Sequence, residues 1–168
     1  MALPDHLQLH RRLPARHQHH PGDPRGLGGD RGAQRLTDPG APTIAGAQRL
    51  LIRADGAARG NPGPASAGAV LIDAARPDAA DPDAPPLAVI ARPLGIQTNN
   101  YAEYMAVVLA LRRARELGAA EVELVLDSKL VVEQLAGRWK VRHPQITGLV
   151  EQARTELAGF RRWSVRHE

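Results

Sequence analysis

The order of the apolar segments is the feature that most constrains how this chain can fold. Three short apolar runs, at residues 50–54, 67–72 and 87–91, follow one another with only turns or loops rich in Gly, Asp and Pro between them. Runs of this length that end at turn residues are typical of β-strands. Because no helical pattern separates them, they predict an antiparallel meander.

The periodicity changes after the third run. Between residues 100 and 117 apolar side chains recur at the spacing of a helix face, and Gly118 stands where a C-terminal cap is expected. A strand, two helices and a final strand are then predicted at residues 121–126, 128–135, 145–157 and 160–165. Since a helix precedes the fourth strand, that strand can lie parallel to the first. The pattern predicts an α/β fold with five strands.

Residues 1–46 differ from the rest of the chain. They hold five of the seven His residues, and their sparse apolar residues show no period. Such a segment cannot bury enough apolar surface to offset the entropy of ordering it, so we expect a disordered, biased tail; a metal-binding His tract is the alternative. Residues 47–168 are predicted to form the folded domain.

The composition excludes several classes of protein. Cys is absent, which rules out disulfide frameworks, thiolate metal sites and Cys nucleophiles. No apolar run approaches the roughly 18 residues of a membrane span, so we expect a cytoplasmic protein with no membrane partner. The 22 Lys and Arg residues outnumber the 18 Asp and Glu residues, and the net charge of +4 permits a polyanionic partner without requiring one. No obligate protein partner is evident.

Three acidic residues lie where predicted elements begin or end. Asp55 follows the first strand, Glu103 lies in the first turn of the long helix, and Asp127 follows the fourth strand. If strands one and four are adjacent and parallel, Asp55 and Asp127 emerge at the same sheet edge, and a helix start packed across that edge would add Glu103. Carboxylates in this arrangement suit Mg²⁺. Two such ions about 4 Å apart can promote phosphodiester hydrolysis.

Each of these acids also has a purely structural explanation. Asp55 can belong to a turn. Glu103 stands three residues after Asn100, which is the spacing of a capping box. Asp127 or Ser128 can cap the following helix. Spacing alone therefore leaves the metal site open.

Longer motifs surround the three acids. Residues 55–63, DGAARGNPG, resemble the opening motif of type 1 ribonuclease H; residues 98–104, TNNYAEY, resemble its second motif, and residues 126–129, LDSK, its third. Residues 127–141 are especially similar to a bacterial branch in which the domain is sometimes fused to a C-terminal phosphatase. The resemblance runs from about residue 50 to residue 165.

This resemblance implies a ribonuclease H-like fold, which is a five-stranded mixed sheet flanked by helices. It implies an endonuclease that hydrolyses the RNA strand of RNA–DNA hybrids. Asp55, Glu103 and Asp127 would be the catalytic ligands of two Mg²⁺ ions, with Mn²⁺ as an alternative, and Asp55 would bridge the two ions. One ion would help to deprotonate the attacking water, and the other would stabilise the oxygen that leaves as a 3′-hydroxyl.

Further residues match positions that contact nucleic acid in this family. A hybrid-binding site must sense a 2′-hydroxyl, which both donates and accepts hydrogen bonds, and Asn side chains and glycine-turn amides suit this task. The matching residues are Gly56, Asn61, Thr98, Asn99 and Asn100, of which Thr98 lies near a DNA-phosphate pocket in the family. Turn and cap chemistry is the alternative explanation for the Asn residues.

A basic turn containing Arg138, Trp139 and Lys140 is a second candidate for nucleic-acid contact. Its charges would bind phosphates and make binding depend on salt. The alternative is a solvated surface with Trp139 packed on a helix.

The sequence departs from the family after the fifth strand. Members continue with a helix that carries a fourth metal carboxylate, whereas this sequence ends at Glu168. We therefore expect a C-terminally truncated domain that lacks the final helix, with one sheet face uncovered and weak or absent activity. The alternative function is a catalytically inactive module of the same fold that binds nucleic acid. A reverse-transcriptase-associated domain ranks last, because no polymerase segment is present.

Overall fold

The computed structural model describes residues 49–168 of the chain, so the tail predicted at residues 1–46 lies outside the described residues. The strands of the described part are β1 (Arg49–Ala58), β2 (Gly63–Asp73), β3 (Ala88–Gln97), β4 (Glu121–Leu126) and β5 (Arg162–His167). Its helices are α1 (Asn99–Glu116), α2 (Lys129–Leu135) and α3 (Pro144–Ala158). None of the helices between residues 49 and 168 is long and apolar enough to cross a lipid bilayer.

The five strands form one mixed sheet in the order β3-β2-β1-β4-β5. β1, β2 and β3 pair as an antiparallel meander. β4 pairs in parallel with β1, and β5 pairs in parallel with β4. The predicted five-stranded mixed sheet is therefore confirmed, including the parallel neighbour that the helical crossover allows.

The main core lies between the sheet and the helices. Alternate residues of a strand face opposite sides, so Leu50 and Ile52 of β1 point to the helices, where both are completely buried. Helix α1 presents Val108 and Leu111 to them at helical spacing. Gly118, with a φ of 79°, follows the end of α1, as the sequence predicts.

The connection between β2 and β3 packs on the other face of the sheet. The sequence predicts only a loop here and an uncovered face, but Ala79 and Ala84 are buried against Leu51, Ile72 and Val125. Backbone hydrogen bonds such as the one from Ala84 N to the Asp81 carbonyl, at 3.1 Å, stabilise the turns. Small Ala side chains let the connection lie close to the sheet. Part of this face is therefore covered by the chain itself.

Two local predictions about the ends of elements are wrong. Asp55 does not close the first strand, because β1 continues to pair with β2 as far as Ala58 and Ala65. The helix begins one residue early, with Thr98 as its cap, and the Thr98 hydroxyl accepts a hydrogen bond from Tyr101 N at 3.2 Å. Glu103 therefore does not form a capping box with Asn100. Pairing with the neighbouring strand outweighs the turn preference of an Asp-Gly pair.

A substitution at Gly56 tests how closely β1 and α1 must approach. A Cβ atom at Gly56 would lie 2.0 Å from the carbonyl carbon of Ala102, whereas at Gly68 its nearest neighbour would be 3.7 Å away. Gly56→Ala should therefore lower the free energy of unfolding by about 3 kcal/mol, as severe overpacking does. Gly68→Ala should change it by less than about 1 kcal/mol. Urea unfolding measures both, and equal effects of the two substitutions would contradict the close approach.

Candidate functional site

The pairing of β1 with β4 brings Asp55 and Asp127 to one edge of the sheet. The parallel register ends at the pair Arg53–Val125, and each acid stands two residues beyond this pair on its own chain segment. Both side chains are exposed and line the same pocket, on the sheet face that also carries Arg53 and Glu168. The sequence-based expectation of a shared edge for these two acids agrees with this placement.

Helix α1 places the third acid beside Asp127, in a cleft that adjoins the pocket lined by Asp55 and Asp127. Because Gly56 has no side chain, the backbone of β1 lies directly against Ala102 and Glu103 in α1. Glu103 is half-buried and lines a narrow cleft together with Asp127 and Ser128. The absence of a side chain next to Asp55 is therefore what allows Glu103 to approach the sheet edge.

Two side chains orient the Glu103 carboxylate. Asn99 donates a hydrogen bond from Nδ2 to Oε1 at 3.0 Å, and Ser128 donates one from Oγ to Oε2 at 2.9 Å. Ser128 also caps α2, where its hydroxyl accepts a hydrogen bond from Val131 N. One donor thus comes from the helix of Glu103 itself, and the other comes from the residue that follows Asp127.

The negative charges of Asp55 and Asp127 act on the Glu103 carboxylate. Burial is the largest cause that raises the pKa of Glu103 above its ordinary value, and the charges of Asp127 and Asp55 raise it further. The hydrogen bonds from Ser128 and Asn99 oppose this shift because they stabilise the charged carboxylate. A bound cation would relieve the remaining cost of the negative charge.

The residue types at this edge fit a hard divalent cation. Carboxylate oxygens are preferred ligands of Mg²⁺, which commonly keeps several waters and binds through one or two carboxylates together with substrate phosphates. Among residues 49–168, no group of three or more His, Cys, Asp or Glu side chains is arranged so that it could hold a metal ion. Asp55, Glu103 and Asp127 therefore supply suitable ligand types, but their side chains do not form a three-ligand site in this arrangement.

Three of the predicted hybrid-contacting residues have structural roles. Asn99 Oδ1 accepts a hydrogen bond from Ala58 N, and Asn61 Oδ1 accepts one from Asn99 N, both at 3.2 Å. Thr98 caps α1. The turn-and-cap chemistry is thus confirmed for these oxygens. Asn100 differs, because its Oδ1 is buried and has no hydrogen-bond partner within the described part of the chain.

The predicted basic turn lies between α2 and α3. Trp139 is 47% exposed and lines a groove together with Val150 and Arg154 of α3, so the ring is partly covered by that helix and partly open to solvent. Arg138 forms an ion pair with Glu133, with 3.1 Å between Nη2 and Oε1. Lys140 is exposed, and no carboxylate among residues 49–168 pairs with it. The turn thus presents an aromatic ring and a cation to solvent.

Comparison with known proteins shows the family. Residues 53–168 match a family model described as reverse transcriptase-like. The bifunctional protein Rv2228c of Mycobacterium tuberculosis is 45% identical over 114 residues, which are 68% of this chain and 29% of that protein. Ribonuclease HI of Halobacterium salinarum is 41% identical over 113 residues, 67% of this chain and 53% of that enzyme. The chain thus spans about a third to a half of these relatives.

Solved structures agree with the sequence relatives. The N-terminal RNase H domain of Rv2228c, solved as a fusion with maltose-binding protein, has 43% identity and a TM-score of 0.65 over 71% of this chain and 81% of that one. The chain belongs to the ribonuclease H family. LC11-RNase H1, solved in complex with an RNA/DNA hybrid, has 31% identity and a TM-score of 0.61 over 71% of this ribonuclease H domain and 84% of that chain.

Sequence reasoning did not identify two residues that shape the site. Ser128 was considered only as a helix cap, although its position directly after Asp127 suggested proximity to the acids. Gln134 was not singled out, yet it is buried within α2 and bonds to Tyr104 beside Glu103. A polar residue in an apolar helix was the available signal for Gln134.

The raised pKa of Glu103 predicts a pH-dependent effect of Glu103→Gln. The folded protein disfavours the charged carboxylate, so at about pH 7 without divalent ions Gln should raise the free energy of unfolding. The gain should shrink as the pH falls through the raised pKa and vanish below the ordinary value of 4.5, where both states bind the proton. Urea unfolding in chelator across this range is the measurement.

The matched control is Glu151→Gln, at an exposed position on α3. Its stability should follow that of the wild type at every pH. A Glu103→Gln protein that is less stable than the wild type at neutral pH would show that the carboxylate is favourably placed in the metal-free fold, against the prediction.

Proposed function

We propose that this ribonuclease H domain hydrolyses the RNA strand of RNA–DNA hybrids, with Asp55, Glu103 and Asp127 as its catalytic carboxylates. The observation that carries the proposal is the shared edge, where Asp55 and Asp127 line one pocket and both raise the pKa of Glu103. Relatives named ribonuclease H support the reaction class. A cytoplasmic location stays a prediction from the sequence.

The same three carboxylates would hold Mg²⁺, with Mn²⁺ as an alternative. When bound, the metal supplies Lewis-acid stabilisation of phosphate charge and a water of lowered pKa. Asn99 and Ser128 hold Glu103 in place, and each occupies one of the two carboxylate oxygens. Since a carboxylate oxygen has two lone pairs, each Glu103 oxygen keeps one free for a further contact.

Several residues would bind the hybrid around this edge. Thr98 and Asn99 lie at the N-terminus of α1, where backbone N–H groups and the helix dipole favour a phosphate. Asn100 has an acceptor without a partner among residues 49–168, and a 2′-hydroxyl can donate to such a group once the partly buried side chain rotates outward. Gly56 and Asn61 belong to the same edge through β1 and the loop that follows it.

The basic turn would add a second, electrostatic contact. Lys140 and Trp139 are exposed there, and a cation beside an aromatic ring suits a phosphate next to an unstacked base or sugar. Arg138 shares its charge with Glu133, so Lys140 should carry more of the binding. Together the basic turn and the acidic edge, which carries Asp55, Glu103 and Asp127, would give the domain two contact regions for one hybrid.

A second candidate is a module that binds hybrids without cleaving them. It is favoured by one observation, namely that no group of three or more His, Cys, Asp or Glu side chains among residues 49–168 is arranged so that it could hold a metal ion. Such a module would keep the basic turn and the Asn residues and would show no turnover with Mg²⁺ or Mn²⁺. LC11-RNase H1, which was solved with an RNA/DNA hybrid, is the relative whose binding this candidate would share.

Asp55→Asn separates the two candidates. Under the proposed function, this substitution should reduce Mg²⁺-dependent cleavage of an end-labelled hybrid at least about 100-fold, because it removes a charge that holds the metal. Binding of the hybrid in chelator should change less than about threefold, since no phosphate-binding cation is lost. Gel-resolved cleavage and fluorescence anisotropy are the two measurements.

Asp83→Asn is the control, because Asp83 is an exposed acid in the connection between β2 and β3 and makes no side-chain ion pair within the described residues. It should cleave as the wild type does. A wild-type chain that binds the hybrid but leaves it intact with either metal would favour the binding module, and equal activity of wild type and Asp55→Asn would refute the assigned carboxylates.

A further inference from the structure

The buried amide of Gln134 lies between the acidic edge and the basic turn. Gln134 is the buried polar residue of the described core, with 6% of its surface exposed. An amide costs free energy in such a place unless its donors and acceptor are hydrogen-bonded. An apolar side chain of similar size would fill the same space, so what the amide adds is a set of directed contacts.

Those contacts join three elements. Gln134 Oε1 accepts a hydrogen bond from the Tyr104 hydroxyl at 2.7 Å, and Nε2 donates to the Lys140 carbonyl at 3.1 Å. The Gln134 carbonyl accepts from Arg154 Nη2 at 2.8 Å. One residue of α2 is thus bonded to α1, to the basic turn and to α3.

The hydrogen-bond partner of Gln134 in α1 has a fixed position. Tyr104 is completely buried and follows Glu103 directly, so its hydroxyl has a set position relative to the acidic edge. Gln134 therefore receives its orientation from the helix that supplies Glu103.

On the side of the basic turn, the Gln134 amide holds a segment that makes few hydrogen bonds of its own. The first half is tied by backbone bonds, since Arg138 N and Trp139 N both donate to the Glu133 carbonyl, at 2.9 and 3.1 Å. Residues 140–142 make no backbone–backbone hydrogen bond within the described part of the chain. The partly buried Val141 packs on the core, and the bond from Gln134 fixes Lys140 beside it.

We propose that Gln134 is a positioning residue that sets where the basic turn, residues 137–143, stands relative to the acidic edge, and so determines how well one hybrid contacts both. The inference rests on the proposed function. Without the amide, Lys140 keeps its charge, but the hydrogen bond that holds its backbone in place is lost. Binding must then also order the turn, which lowers the affinity. Hybrid affinity depends on this residue, whereas the chemistry at the three acids does not.

Gln134→Met tests the proposal, because Met fills a similar volume and makes neither hydrogen bond. It should raise the Kd for a short labelled hybrid in chelator about three- to tenfold, the effect of one or two lost hydrogen bonds. KM for Mg²⁺-dependent cleavage should rise by the same factor, with kcat within about twofold of the wild type. Gln152→Met is the control, at an exposed Gln on α3, and should leave both constants unchanged.

Coupling to Lys140 distinguishes positioning from general loss of structure. Lys140→Ala should weaken binding and reduce the dependence of log Kd on log salt by about one phosphate contact. If Gln134 acts by placing Lys140, the double variant Gln134→Met/Lys140→Ala should bind little worse than Lys140→Ala alone. Additive losses, or a Gln134→Met protein with unchanged Kd, would overturn the proposal.

Tyr104→Phe covers the case in which Gln134→Met does not fold. It removes one hydroxyl, leaves the amide free to turn, and should raise Kd about two- to threefold, with the loss again absent in the Lys140→Ala background. An unchanged Kd for Tyr104→Phe would count against the proposal. A wild-type chain that does not cleave would refute the proposed reaction, and the Kd comparisons would still decide the role of Gln134.

Discussion

The contact between the backbones of β1 and α1 at Gly56 is the constraint on which the site depends. With no side chain at Gly56, the first turns of α1 lie directly against the strand, and Glu103 comes beside Asp55. The parallel pairing of β1 with β4 then adds Asp127 at the same edge. A side chain at position 56 would push α1 away from the strand, and Glu103 would move with the helix.

Placing carboxylates close together costs free energy through charge repulsion, and the structure shows how the domain limits this cost. Asp55 and Asp127 remain exposed, where water screens their charge, while Glu103 is half-buried and its pKa is raised. Hydrogen bonds from Asn99 and Ser128 offset part of this cost and fix the carboxylate in one orientation. Binding of a divalent cation would relieve the repulsion that remains between the carboxylates.

The sequence predicted the antiparallel meander, the parallel neighbour of β1 and the shared edge of Asp55 and Asp127, because apolar periodicity and crossover length constrain them. It was wrong about where β1 ends. The two alternatives that it left open, a turn at Asp55 and a capping box at Glu103, are excluded because β2 pairs beyond Asp55 and Thr98 caps the helix. The residues next to Asp55 and Glu103 in the sequence could not show which of these structures forms, because contacts with distant segments decide it. The roles of Ser128 and Gln134 were not predicted for the same reason: their partners are 25 and 30 residues away.

Carboxyl-detected NMR of the full chain, titrated with Mg²⁺ at neutral pH, tests the central claim that the three acids serve one cation site. The account predicts that the signals of Asp55, Glu103 and Asp127 shift together with a common apparent Kd, and that saturating Mg²⁺ lowers the raised pKa of Glu103. Exposed acids such as Glu151 should not share this response. A Glu103 signal that stays unchanged while Asp55 and Asp127 respond, or three unrelated affinities, would contradict a shared site.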